Sequence, residues 1–166
     1  MSYLVNPYMV APSTTPSSEL WSVTGTGQND GMGTGITILA QRFQTGHVLI
    51  GKTITRFDVN LKKFGSPTGT MTGRIINSSN GLELDMGTLD VSTITASYVA
   101  YTFENLVGYV LADGDRLAIY YSDGDGSNYP DWSMNTTSEA NTNGSYWIPS
   151  SWTERSRDAT MSVWGY

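Results

Sequence analysis

The chain has 166 residues, of which 14% are charged, with nine Lys and Arg against fifteen Asp and Glu for a net charge of −6. That length suits one domain that buries a core without a metal or disulfide staple, and the lack of cysteine excludes thiol catalysis and zinc–thiolate sites. Wrapping a nucleic acid requires clustered cations, yet only Lys62 and Lys63 stand together, and no stretch reaches the length of a membrane span, so neither nucleic acid nor membrane is expected as a partner.

Residues 1–20 read as an extended N-terminal arm. Pro7, Pro12 and Pro16 remove backbone donors and bias their predecessors away from helix. The arm still carries Tyr3, Leu4, Val5, Tyr8, Met9 and Val10, too much apolar surface for a solvated tail, so these six are expected to contact a neighbouring subunit. The opening MSYLVNPYMVAP has no basic segment and is broken by Pro7, so a cleaved signal peptide is not expected. Release of a virion protein by lysis fits a start of this kind, and so does an excised module with an added Met.

Residues 21–166 read as a single domain. Trp21–Val23 suggests a short strand, followed by a flexible surface loop over Gly25–Gly35. Its glycine spacing is wrong for a phosphate cradle, and no helical pattern follows. Strands are predicted at Thr37–Phe43, Thr53–Lys63, Thr70–Ile76 and Glu83–Thr88. The clearest is Thr53–Lys63, where Phe57, Val59 and Leu61 alternate with polar residues at period two. Ser66-Pro67-Thr68-Gly69 and Asn80-Gly81 supply turn chemistry. Asp90–Ala96 reads as either a short helix or a loop.

Further strands are predicted at Tyr98–Phe103, Arg116–Ser122 and Thr160–Tyr166. Asp123–Asn143 is a long polar interruption and a candidate functional loop. The expected core holds Phe57, Val59, Leu61, Met71, Ile75, Val99, Tyr101, Phe103, Leu117, Ile119, Met161 and Val163. Seven to nine strands at this spacing predict an all-β fold, a single antiparallel β-sandwich of jelly-roll-like type.

The segments ITRFDVNLKKFGSPTGTMTGRI, GDRLAIYYSDGDGSNY and RDATMSVWGY occur in that order. Over residues 36–166 this pattern resembles the choice-of-anchor type of β-sandwich domain, found in secreted prokaryotic proteins and in phage and environmental viral structural proteins. The resemblance implies a binding or structural role, with no general catalytic assignment.

Two constellations invite a binding role. Asp123, Asp125, Ser127 and Asn128 alternate oxygen ligands as a calcium loop does, with Asp131 and Asp113-Gly114-Asp115 as further donors if the loops converge. The twelfth position is Met134, where a helical calcium loop needs a bidentate Glu, and a Gly- and Asp-rich turn looks the same without metal. Tyr129, Trp132, Tyr146, Trp147 and Trp152 lie among Asn and Asp residues, as a carbohydrate platform requires. The same rings equally suit a core or a subunit interface.

Catalytic signals are sparse. His47 is the only histidine, no nucleophile-elbow motif marks a serine, and nothing selects a pair from Glu83, Glu104, Glu139 and Glu154. The sequence therefore predicts a non-enzymatic structural or adhesive protein at a virion surface or outside the cell. Copies of itself or other particle-shell proteins are the expected partners. The alternative is a carbohydrate-binding module using the Tyr129–Trp152 region.

Overall fold

The computed structural model describes residues 17–25, 27–137, 141–148 and 151–166, with the side chains of 145–148 outside the description. The arm contacts expected of Tyr3, Leu4, Val5, Tyr8, Met9 and Val10 lie outside the described residues, as does Glu139. Among the described residues there are twelve strands: β1 Ser18–Val23, β2 Gln28–Gly31, β3 Ile38–Phe43, β4 Thr53–Phe64, β5 Thr70–Ile76, β6 Leu82–Asp90, β7 Val99–Val110, β8 Arg116–Tyr120, β9 Tyr129–Met134, β10 Thr142–Ile148, β11 Ser151–Arg155 and β12 Met161–Gly165. A 3₁₀ turn at Val91–Thr93 resolves the ambiguous stretch after β6, with the Asp90 side chain capping Ser92 N–H.

The strands form two antiparallel six-stranded sheets. The first runs β1-β12-β4-β9-β2, with β7 on the other edge of β4, and the second runs β11-β10-β3-β8-β5-β6. The chain is an all-β sandwich.

Alternation explains the packing. On β4, Ile54, Phe57, Val59 and Leu61 are fully buried, while Arg56, Asp58 and Asn60 between them are half-buried. Met71 and Ile75 on β5, Leu117 and Ile119 on β8, and Met161 and Val163 on β12 join them in one core between the sheets. Phe57 and Phe103 are register partners whose rings lie 5.5 Å apart. His47 is buried against Trp21 and Phe43, with ring centroids at 5.1 and 5.0 Å, so the lone imidazole is a packing element.

Several expectations are corrected. Ser18 and Glu19, read as arm, pair with Gly165 and Trp164 of β12, and the register shifts between Glu19 and Trp21. Val99 is 41% exposed, since β7 begins there at the margin of its sheet, and Tyr101 is only partly buried. The Gly25–Gly35 loop contains β2, and the polar run Asp123–Asn143 contains β9 and the first residues of β10.

Gly73 on β5 shows how closely the sheets approach. A Cβ at this position would fall 2.5 Å from the ring of Phe103 in the opposite sheet. Gly73→Ala should therefore lose about 1–3 kcal/mol through overpacking. Urea denaturation would measure the loss, and pairing the change with Phe103→Leu should recover part of it.

Candidate functional site

The predicted aromatic cluster does not converge. Tyr129 and Trp132 lie on β9 in one sheet, while Tyr146, Trp147 and Trp152 lie on β10 and β11 in the other. Trp132 is fully buried, with its Nε1–H donating to Thr160 O at 3.2 Å. It faces the core from a strand paired on both edges and offers no open ring face to a sugar. Tyr129 is half-buried and stacks on Phe64 at 5.2 Å, beneath two glycines that leave room for its ring.

Trp152 occupies a different setting. The registers align it with the backbone of Trp147, then Ile38, Tyr120 and Thr72, across the outer face of the second sheet. The adjacent row contains Glu154, Ala40, Ala118 and Arg74. Ala40 and Ala118 form a small-residue floor, fully buried although it lies outside the main core. The Arg116 guanidinium lies 4.4 Å from the Trp152 ring centroid, and Trp152 Nε1–H donates to Asn80 Oδ1 at 2.5 Å. Glu154 draws Arg116 to 2.9 Å and Arg42 to 3.6 Å. The result is a half-buried indole framed by an amide, a carboxylate and two guanidinium groups. Of this group, the sequence marked Trp152 for a sugar platform, Glu154 only among four unselected carboxylates and Asn80 only as a turn residue; Arg42 and Arg116 come from distant strands.

The Asp123–Asn128 loop is organised by its own hydrogen bonds. Asp125 Oδ1 accepts from Ser127 N–H at 2.6 Å and Asn128 N–H at 2.7 Å, which holds its carboxyl below the usual range. Asp123 lies against Gly69 and accepts from Ser122 Oγ. Asp113–Asp115 sits at the other end of β8, beside Ser78, and Asp131 is engaged by Asn29, Tyr98 and Lys62. The loops do not converge, and among the described residues no group of three or more acidic or imidazole side chains is placed to hold a metal.

Two features had no signal in the sequence. The first is a slot between the edge strands β2 and β11, lined by Gln28, Thr136, Arg155, Ser156 and Arg157. Of its lining residues, Arg157 and Arg155 lie 2.5 Å and 3.8 Å from the carboxylate of Asp30. The second is a knuckle on β7, where Asn105, Leu106, Val107 and Gly108 together oppose the single residue Thr55 of β4. Gly108 takes φ +70°, and Asn105 Oδ1 accepts from Val107 N–H. Leu106 and Val107 are left 81% and 79% exposed at its tip.

No protein-family model, curated protein or solved structure matches this chain.

Burial raises the Asp30 carboxyl above its ordinary 3.8, and the neighbouring arginines offset this only in part. A folded pKa above the unfolded one means that Asp30 favours folding most below about pH 4 and loses that contribution as pH rises through the folded pKa. The stability difference between wild type and Asp30→Asn should therefore move against wild type as pH rises from about 4 to 7. Urea midpoints at stepped pH would check this; parallel profiles would contradict it.

Proposed function

We propose that this protein is a non-enzymatic structural and adhesive surface component of a virus-like particle, assembling with copies of itself through the β7 knuckle and the N-terminal arm. The observation that carries this reading is the position of Ser17, the first described residue, beside the root of the knuckle. Ser17 Oγ lies 2.9 Å from Thr55 Oγ1, and Thr55 is the β4 residue opposite the knuckle. The sixteen residues before Ser17, at about 3.3 Å each when extended, can reach some 50 Å from that root. Their apolar side chains match the exposed Leu106, Val107 and Val110 in chemistry. Burying each large side chain contributes roughly 1.5–3 kcal/mol.

The occupant of the knuckle is thus the Tyr3–Val10 segment of a neighbouring copy. The virion assignment rests on the resemblance to viral structural domains, and a jelly-roll-like reading of the sandwich belongs with it.

The Trp152 face favours a second reading, a carbohydrate-binding module. A half-buried indole backed by Arg116 and flanked by Asn80 and Glu154 offers a ring face together with hydroxyl partners. Tyr129 and Trp132 have no part in that platform.

Light scattering coupled to size-exclusion chromatography separates these readings. The full chain should form oligomers, whereas deletion of residues 2–12 and the Leu106→Asp/Val107→Asp double variant should give folded, largely monomeric protein. A strict monomer at high concentration would overturn the assembly reading. For the module reading, glycan-array binding should disappear in Trp152→Ala and persist in Leu106→Asp.

A further inference from the structure

We infer that the cavity beside Trp152, on the outer face of the second sheet, takes the acetamido group of an N-acetylated amino sugar. The inference rests on the carbohydrate-binding reading and names the sugar class that site would serve. Four residues line the cavity, which measures about 240 Å3: Ile38 of β3, Ile76 of β5, Trp152 of β11 and Asn80 of the turn between β5 and β6. Three of the four are apolar, and the fourth is an amide.

The outer face of an antiparallel sheet is ordinarily polar, because water covers it. This face carries a second apolar cluster, apart from the core between the sheets. Ala40, Ile76 and Ala118 are buried there, and Ile38 and Trp152 pack on them. Register places Leu82 directly opposite Ile76, and Leu82 is 53% exposed, so the apolar surface continues beyond the cavity.

The amide is set in place by its turn. Asn77 Oδ1 accepts from Ser79 N–H at 2.9 Å and from Gly81 N–H at 2.8 Å, and Asn80 between them is held at φ +70°. A residue other than glycine in that left-handed region is uncommon and is kept only where the surrounding bonds dictate it. Asn80 Oδ1 accepts from Trp152 Nε1–H at 2.5 Å, while its Nδ2 makes no hydrogen bond among the described residues. The cavity therefore offers apolar walls and one unspent amide donor. An acetamido group has the matching parts, a methyl for the walls and a carbonyl oxygen that accepts from Nδ2–H. A hydroxyl on the same sugar carbon would exchange water for apolar side chains, at a cost in free energy.

The test follows amide ¹H–¹⁵N spectra of the full chain during titration with N-acetylglucosamine and, separately, with glucose, which has a hydroxyl in place of the acetamido group. Saturable shifts are expected at Ile38, Ile76, Asn80 and Trp152 with N-acetylglucosamine, and glucose should bind about tenfold more weakly or worse. Asn80→Asp keeps an oxygen for Trp152 Nε1–H and tolerates the same backbone conformation, but it removes the donor. It should keep a dispersed, folded spectrum and weaken N-acetylglucosamine binding by about tenfold. N-acetylglucosamine binding that Asn80→Asp leaves unchanged overturns the site. Equal binding of the two sugars, lost in Trp152→Ala, overturns the acetamido assignment and leaves the carbohydrate reading standing. No saturable shift with either sugar overturns the acetamido site, and a silent glycan array as well overturns the carbohydrate reading beneath it.

Discussion

The fold depends on β4 serving three strands at once. Its one edge pairs with β7 along most of its length, and its other edge is divided between β12, up to Val59, and β9, from Leu61 onward. Two strands that share one edge must meet, and they meet at Thr160. Asn60 N–H and Trp132 Nε1–H both donate to Thr160 O, while Thr160 N–H donates to Ser133 O. From that junction β1 extends the sheet beyond β12, and β2 extends it beyond β9. Both outer parts of the sheet therefore hang on the buried face of a single strand. Loss of apolar alignment on β4 would release β1, β2, β9 and β12 together.

The two sheets are also tied by a buried polar contact that alternation does not supply. Asp158, just before β12, accepts from Gln41 Nε2 at 2.7 Å and from Thr142 Oγ1 at 2.9 Å, and Gln41 Oε1 accepts from Ala159 N–H. Asp158 and Gln41 are fully buried and belong to opposite sides of the sandwich. Polar groups in such a setting must find each other, because an unpaired member costs far more than a neutral pair gains. Apolar packing sets how closely the sheets approach. This contact fixes how far one slides over the other.

These two devices explain what could be read in the sequence. Where a strand has one wet face and one dry face, side chains alternate, and Thr53–Lys63 and Thr70–Ile76 were legible for that reason. The strands β2, β9, β10 and β11 lack this pattern. On β9, five successive residues from Pro130 to Met134 are buried, Asp131 and Ser133 among them, because both faces of the strand are covered. A strand such as QNDG has no apolar period at all and exists because β9 offers it an edge. The site residues were obscured for a related reason. Trp132 and Trp152 look alike in sequence, and only the sheet to which each belongs decides that one is core and the other lies on an outer face. Arg116 and Asn80, which frame Trp152, are distant in the chain and converge only through strand register.

The two open sides of the sandwich are closed by different physics. On one side β6 and β7 turn toward each other, with Asn105 Nδ2–H donating to Asp85 O at 2.8 Å and Gly87 facing the backbone of Glu104. The Asn105 side chain thus ties that corner beside the extra residues of β7 that form the apolar knuckle. On the other side β2 and β11 share no ladder, and the gap is spanned by Asp30 and two arginines. The same sandwich thus presents an exposed apolar knuckle at one edge and an edge bridged by charged side chains at the other.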